Sequence, residues 1–253
     1  MAAAVHPRTA ALLAREQWVQ RTPEWLAVRR DLLTASDAAA ALDVKPYASY
    51  RGSSRAELLR KKVSNAPLNN MFVAHGQKYE DEARDLTAAV LGETISDVGL
   101  VKHPSLPWLA ASPDGVTHSG RLLEIKCPLK REIKPGCVPS HYWPQIQVQM
   151  ECCDVDSTLF VQYKPGVLQP GGMPFLDIVV VERDRAWFAD HVGALEDTWK
   201  AFMAARQAAG SDAEDAAADP GACLIRDDMY ADFDPAGGDQ PGDQPGDQPS
   251  EFA

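Results

Sequence analysis

The sequence lacks the features of a membrane protein, a secreted protein or a protein with cysteine-bound metal. No apolar run approaches the roughly 20 residues needed to cross a bilayer. Five cysteines, an odd number without any C-x-x-C spacing, indicate free thiols in a reducing compartment and argue against structural zinc or an iron–sulfur cluster. Arg15 and Glu16 interrupt the alanine-rich start, so we expect a cytoplasmic protein without a secretory signal, with an organellar transit peptide as the alternative.

The sequence also lacks an overall excess of basic residues, which is unusual for a protein that binds nucleic acid. The net charge is −11, but residues 207–253 contain twelve acids and one base, so the remaining body is neutral. Within the first 64 residues, eleven bases stand against six acids. This local excess predicts either a basic face or an ordinary mixed, solvated surface, and charge alone does not decide between them.

The acidic C-terminal segment differs in composition from the rest of the chain. It contains a four-residue unit, GDQP, repeated three times over residues 238–249. Such a repeat offers no apolar side chain to a core, and its prolines oppose regular structure. We therefore predict a folded domain over residues 1–208 and a disordered, low-complexity tail over residues 209–253.

Hydrophobic periodicity in the body predicts an α/β fold, with a small central sheet flanked by helices. Helices are predicted as two short segments within 22–42, the second capped near Thr34 or Ser36, and over 69–91 and 184–206. Strands are predicted over 97–103, 121–127, 158–163 and 175–182, the last as a buried strand because it is rich in β-branched residues. The stretch QIQVQM, 145–150, is ambiguous: its alternation favours a strand, but Pro144 suits the first turn of a helix.

The stretch SPDGVTHSGRLLEIKCP, residues 112–128, places charged residues in an apolar strand. Strand side chains alternate, so Glu124 and Lys126 share one face, and a short turn could return Asp114 beside Glu124. One interpretation is a solvated salt bridge of little energetic value. The other is a site for a hard divalent cation, which binds through carboxylate oxygens, with a lysine that positions or deprotonates a water.

Five motifs in order resemble a known nuclease family: VRRDLLTAS, HGQKYEDEA, SPDG, LLEIKCP and HYWPQIQVQM. From about Trp25 to about Arg206 the chain is similar to the lambda-type alkaline exonucleases, or YqaJ-type viral recombinases. These enzymes have the PD-(D/E)xK restriction-endonuclease-like core, a small mixed sheet flanked by helices. The chain departs from the family pattern after Arg29, where the family often has glycine and this sequence has Arg30. The resemblance favours the metal-site interpretation.

The resemblance assigns a role to each of ten residues. Asp114 and Glu124 would bind metal together with the Ile125 carbonyl, and Lys126 would be the catalytic lysine, with its pKa lowered by the nearby cations. Glu80 and Gln145 would complete the catalytic set. Tyr142 would bind DNA, and Tyr142 and Gln145 would lie on the helix that lines the site, so the resemblance favours a helix over 145–150. Arg29 and Ser36 match positions that hold the phosphate of the DNA 5′ end, and Ser112 matches another phosphate-contacting position.

The family resemblance implies a magnesium-dependent 5′→3′ exonuclease that acts on linear double-stranded DNA. Such an enzyme would use two Mg²⁺ or Mn²⁺ ions, recognise the 5′-phosphate, and leave 3′ single strands for a single-strand annealing protein. The resemblance also implies a homotrimeric ring, no membrane association, and a bacterial, phage or prophage context. The alternatives are another PD-(D/E)xK nuclease, of the CRISPR-adaptation or helicase–nuclease type, and a non-catalytic DNA-end-binding module.

Overall fold

A computed structural model of the chain describes residues 4–47, 50–64 and 71–212. The helices are α1 Pro7–Leu13, α2 Pro23–Arg30, α3 Ala38–Ala41, α4 Ser54–Ser64, α5 Met71–Leu91, α6 Trp143–Cys153 and α7 Arg185–Asp212. The strands are β1 Leu33–Thr34, β2 Ile95–Ser96, β3 Val101–Lys102, β4 Leu109–Ala111, β5 Gly115–Thr117, β6 Leu122–Lys126, β7 Ser157–Leu168 and β8 Pro174–Glu182. Short 3₁₀ turns cover Ala35–Asp37 and Ser140–Tyr142.

The strands form two sheets, and β6 lies at the centre of the larger one. That sheet has five strands in the order β2-β5-β6-β7-β8, in which β6 and β7 are parallel and the other pairs are antiparallel. The second sheet has three strands in the order β1-β4-β3. Mixed sheets flanked by helices confirm the predicted α/β fold. The strands form two sheets, whereas the sequence predicted a single small central sheet.

The alternation of β6 side chains divides the apolar interior into two cores. Leu122 packs with Ile146 of α6 and with the α7 side chains in the main core. Leu123 and Ile125, one residue out of step with Leu122, pack with Ala83 of α5 in a second core. The five-stranded sheet therefore has α5 on one face and α6 on the other, and the even-numbered residues of β6 face α6.

Several predicted elements are confirmed with their boundaries nearly intact. The predicted helix over 69–91 is α5, and the 3₁₀ turn begins after Thr34, whose backbone N–H donates to the Asp37 carboxylate at 2.9 Å. The stretch 145–150 is helical, which confirms what the resemblance implied. Its alternation misleads because α6 is buried on nearly all sides and so shows no helical periodicity. Helix α7 continues to Asp212, and the rest of the predicted acidic tail lies outside the described residues.

Two strand predictions are wrong in part. The segment 97–103 is not one strand, because its chain passes against Trp18 and contributes only Val101–Lys102 to a sheet. A Cβ at Gly99 would lie 2.4 Å from the Trp18 carbonyl oxygen, so this approach requires glycine. Strand β8 is not buried: it pairs only with β7 at the sheet edge, and Val180 is half exposed. Its β-branched residues indicate a preference for strand structure, but they do not indicate how deeply the strand is buried.

None of the helices in the described ranges combines the length and the apolar character that a bilayer span requires.

The buried stripe of α7 gives a direct test of the main core. Leu195 is fully buried and Leu26 is an exposed leucine on α2. We expect Leu195→Ala to lower the free energy of unfolding by about 2–5 kcal/mol, because it removes buried methyl groups and leaves a cavity. The matched Leu26→Ala control should change it by about 0.5 kcal/mol or less. Urea unfolding of both variants measures the difference, and equal effects would contradict the packing of α7.

Candidate active site

The hairpin of β5 and β6 brings Asp114 beside the middle of β6. The Asp114 backbone N–H donates to the Leu123 carbonyl at 3.0 Å, and its Oδ2 accepts from the Ile125 N–H at 2.6 Å. Asp114 therefore lies immediately before β5, across from the segment of β6 that carries Glu124. The predicted approach of the two carboxylates across a short turn is confirmed.

Glu124 is a buried carboxylate, only 2% exposed, on the α6 face of the central strand. Its Oε1 accepts from Gln145 Nε2 at 2.6 Å and lies 2.5 Å from Lys126 Nζ. Its Oε2 accepts from Gln149 Nε2 at 2.5 Å. A buried charge is tolerated only when it is paired and hydrogen-bonded, and both oxygens of Glu124 meet this condition.

Gln149 is a site residue to which sequence reasoning assigned no role. It lies one helical turn after Gln145, so both amides project from the same face of α6 toward Glu124. The signal was present in the Q-x-x-x-Q spacing, but it carries meaning only once the segment is known to be helical. The Gln149 Oε1 atom is buried and has no hydrogen-bond partner among the described residues.

Lys126 extends along the same face as Glu124 and covers the ring of Tyr142. Its Nζ lies 4.9 Å from the Tyr142 ring centroid, and Tyr142 itself is buried just before α6. Burial alone would lower the pKa of Lys126, but the Glu124 carboxylate, with smaller contributions from its other neighbours, outweighs burial and raises the pKa. In the protein without metal ions, the pKa of Lys126 is therefore raised. This is opposite to the lowered pKa that is expected from the sequence beside bound cations.

Glu80 reaches the site from α5 and is held by two arginines. Its Oε2 lies 2.6 Å from Arg21 Nη2, and its Oε1 lies 3.5 Å from Arg84 Nη2. Burial raises the pKa of Glu80 despite the opposing charges of both arginines, and the charge of Glu124 adds to the rise. Arg21 adopts a left-handed backbone with φ of 67°, an uncommon conformation for a residue other than glycine.

The carboxylates form a concentration of negative charge that suits a hard cation. Burial raises the pKa of Asp114 well above its ordinary value, and the like charges of Glu124 and Glu80 raise it further. Over the described part of the chain, no group of three His, Cys, Asp or Glu side chains lies at metal-binding spacing. Two neighbouring carboxylates have the chemistry of a magnesium site, because magnesium commonly takes one or two carboxylates and completes its shell with water and substrate phosphate.

A second polar cluster joins the three predicted phosphate-contacting residues. Arg29 Nη2 donates to Ser36 Oγ at 2.6 Å, and its guanidinium lies 4.6 Å from the centroid of the Trp25 ring. The Trp25 Nε1–H in turn donates to Ser112 Oγ at 3.0 Å. We call Arg29, Ser36, Trp25 and Ser112 the α2 cluster. Ser112 is two residues before Asp114, so the α2 cluster adjoins the carboxylate site through the backbone.

The chain is similar to solved exonuclease structures and to a viral protein. The chain resembles the crystal structure of an alkaline exonuclease from Laribacter hongkongensis with a TM-score of 0.62 and 28% identity, over 76% of this chain and 98% of that one. The structure of that exonuclease in complex with dAMP matches with a TM-score of 0.61, 26% identity and the same coverage. Protein R354 of Acanthamoeba polyphaga mimivirus is 32% identical over 166 residues, 58% of this chain and 30% of that protein.

The chain spans less than half of the length of the curated relatives that it matches. The family model of the YqaJ-like viral recombinase domain matches residues 24–156, which is more than half of the sequence. This range contains all ten residues that the resemblance assigned to the site, together with Gln149. The chain therefore belongs to the YqaJ-like viral recombinase domain family.

Proposed function

We propose that this protein is a magnesium-dependent 5′→3′ exonuclease on linear double-stranded DNA. One observation carries the proposal: the Asp114–Glu124–Lys126 site adjoins the α2 cluster, only two residues along the chain from Ser112 to Asp114. A cleavage site next to an arginine–serine anion site suits an enzyme that starts at a DNA end. The similarity to an alkaline exonuclease, with coverage of nearly all of that chain, supports the same reaction class.

In the proposed reaction, Asp114, Glu124 and the Ile125 carbonyl would hold Mg²⁺, or Mn²⁺ in its place, at two positions. When bound, divalent cations stabilise the charge that develops on the phosphate and assist ionisation of the attacking water. The amides of Gln145 and Gln149 hold the Glu124 carboxylate in one orientation, so its oxygens need no rearrangement during the reaction.

Lys126 has the position of a group that handles the attacking water. Its ammonium is fixed between the Glu124 carboxylate and the Tyr142 ring, so it can donate to a water without a search through side-chain rotamers. Bound cations would oppose the raised pKa of Lys126 through like charge, which brings deprotonation closer to working pH. Glu80, held by Arg21 and Arg84, would support the same site from α5.

The α2 cluster would hold the 5′-phosphate. Arginine offers a planar, bidentate pair of donors that match a phosphate, and Ser36, whose hydroxyl accepts from Arg29, would hold the guanidinium in place. The 3′ single strand left by digestion would pass to a single-strand annealing protein. A homotrimeric ring around the duplex would keep the enzyme on its substrate.

Loss of either Glu124 or Lys126 should abolish cleavage. Glu124→Gln keeps the shape and removes a metal ligand, and Lys126→Ala removes the group that handles water. We expect each to cost several kcal/mol of transition-state stabilisation, roughly a thousandfold or more in rate. Asp190→Ala, an exposed acid on α7, is the control and should cleave at the normal rate. Initial rates on linear duplex with Mg²⁺ decide, and near-normal rates in the two site variants would refute the assignment.

The ionised Asp114 carboxylate should lower the free energy of unfolding when no metal is bound. Its pKa is higher in the folded state, so folding takes up a proton and the free energy of unfolding falls as pH rises from the unfolded pKa to the folded pKa. Asp114→Asn mimics the protonated form and removes this dependence. In chelator at pH 7 we expect the variant to be more stable by about 0.5–2 kcal/mol.

The same variant also tests metal binding without reference to activity. Millimolar Mg²⁺ should raise the unfolding temperature of the natural protein, because a ligand that binds only the folded state stabilises it. Asp114→Asn should show little or no rise. Thermal unfolding with and without Mg²⁺ measures both effects, and a variant that is less stable in chelator yet gains as much from Mg²⁺ would contradict the site.

The α2 cluster predicts faster digestion of 5′-phosphorylated than of 5′-hydroxyl duplex. A charged contact from Arg29 should contribute about 1.5–3 kcal/mol, roughly ten- to a hundredfold in rate, and Arg29→Ala should remove most of this preference. The matched control is Arg30→Ala, which deletes the neighbouring exposed arginine and the same charge. Initial rates on both substrates give the ratio. Equal rates in the natural protein, or a loss of preference confined to Arg30→Ala, would remove Arg29 from the pocket.

A further inference from the structure

The α2 cluster is supported by a buried ion pair between Asp37 and Lys62. Asp37 Oδ2 accepts three hydrogen bonds: from the Thr34 N–H at 2.9 Å, from Thr34 Oγ1 at 2.7 Å and from Lys62 Nζ at 2.7 Å. The side chains of Asp37 and Lys62 are 7% and 10% exposed. Lys62 comes from α4, far from Asp37 in sequence, and its Nζ also donates to the Leu32 carbonyl at 3.0 Å.

The direction of hydrogen bonding leads from this pair to the Ser36 hydroxyl. Thr34 Oγ1 donates its only hydrogen to the Asp37 carboxylate, which can only accept. In the 3.0 Å contact between Thr34 Oγ1 and Ser36 Oγ, Ser36 is therefore the donor. Ser36 Oγ in turn accepts from Arg29 at 2.6 Å. Asp37 thus determines which way the Ser36 hydroxyl points and where Arg29 rests.

The charges of the same group match a terminal phosphate. Burial would raise the pKa of Asp37, but the charges of Lys62, Arg29 and Lys61 outweigh it and hold the pKa below its ordinary value. Two cations, Arg29 and Lys62, and one carboxylate leave a net positive charge in this contact group. A terminal phosphate carries up to two negative charges, whereas an internal phosphodiester carries one. The carboxylate therefore orients Ser36 and Arg29 without cancelling the net positive charge of the group.

We propose that the Asp37–Lys62 pair positions Ser36 and Arg29 for a terminal 5′-phosphate, and that it thereby determines the preference of the enzyme for phosphorylated ends. The inference rests on the proposed function. Lys62 of α4 contacts both Asp37 and the Leu32 carbonyl, which flank β1. These contacts fix the turn that carries Ser36 relative to α2. In this role both residues are positioning residues: they act through Ser36 and Arg29 and need not touch DNA.

The test compares the rate ratio of 5′-phosphorylated to 5′-hydroxyl duplex among variants of the full chain. Lys62→Met keeps the length of the side chain and removes its charge, and Asp37→Asn keeps the shape and removes the paired charge. We expect each to lower the ratio about tenfold, with a smaller change on the hydroxyl substrate. Lys62→Arg, which keeps a cation for Asp37, should recover part of the ratio.

The matched control is a second buried ion pair outside the site. Arg183 and Glu151 lie 2.5 Å apart with side chains 6% and 10% exposed, close to the values for Asp37 and Lys62. Glu151→Gln should lower the unfolding temperature but leave the rate ratio unchanged. A general loss of stability therefore cannot imitate the expected result.

The outcomes separate this inference from the proposed function. A natural protein with a preference for 5′-phosphate that persists in Lys62→Met and Asp37→Asn would overturn the inference and leave the exonuclease standing. A natural protein that cleaves duplex without such preference would overturn the inference and the phosphate pocket together. If Lys62→Met fails to fold, the ratio for Asp37→Asn decides: an unchanged ratio refutes the positioning role, and a lowered ratio supports it.

Discussion

The burial of the Glu124 carboxylate is the constraint around which this site is built. A charge that is almost fully removed from water must have partners for both oxygens, or folding becomes too costly. Those partners are Lys126 on the same strand face and the amides of Gln145 and Gln149 on α6. This requirement explains why a helix with two glutamines one turn apart must pack across the central strand of the sheet.

The same central strand sets the electrostatics of the carboxylate site. The backbone N–H of Ile125 holds Asp114 beside β6, where burial and the charges of Glu124 and Glu80 oppose its ionisation. Such a group costs stability, and proteins commonly carry costs of this kind at functional sites. Arg21 contacts Glu80 at the edge of this site. Its left-handed backbone conformation is a second local source of strain that lowers stability.

The α2 cluster and the carboxylate site are connected by a short and well-fixed path. Ser112 accepts from Trp25 and is followed after one proline by Asp114, whose own backbone is bonded into the β5–β6 hairpin. The Pro113 carbonyl accepts from Gln20 at 2.9 Å, so the linking peptide is held on both sides. This rigidity would suit the proposed exonuclease, which has to place the scissile bond at a constant distance from the DNA end.

The sequence by itself determined the local parts of this protein. The turn before Glu124, the alternation along β6 and the family motifs predicted Asp114, Glu124 and Lys126 as one site, because strand geometry and short turns depend on neighbouring residues. Only the tertiary structure decided what distant segments supply. It brought Gln149 to Glu124, placed β8 at a sheet edge, and paired Lys62 with Asp37. These features depend on burial and on contacts between segments that are far apart in sequence, so a local sequence pattern does not predict them.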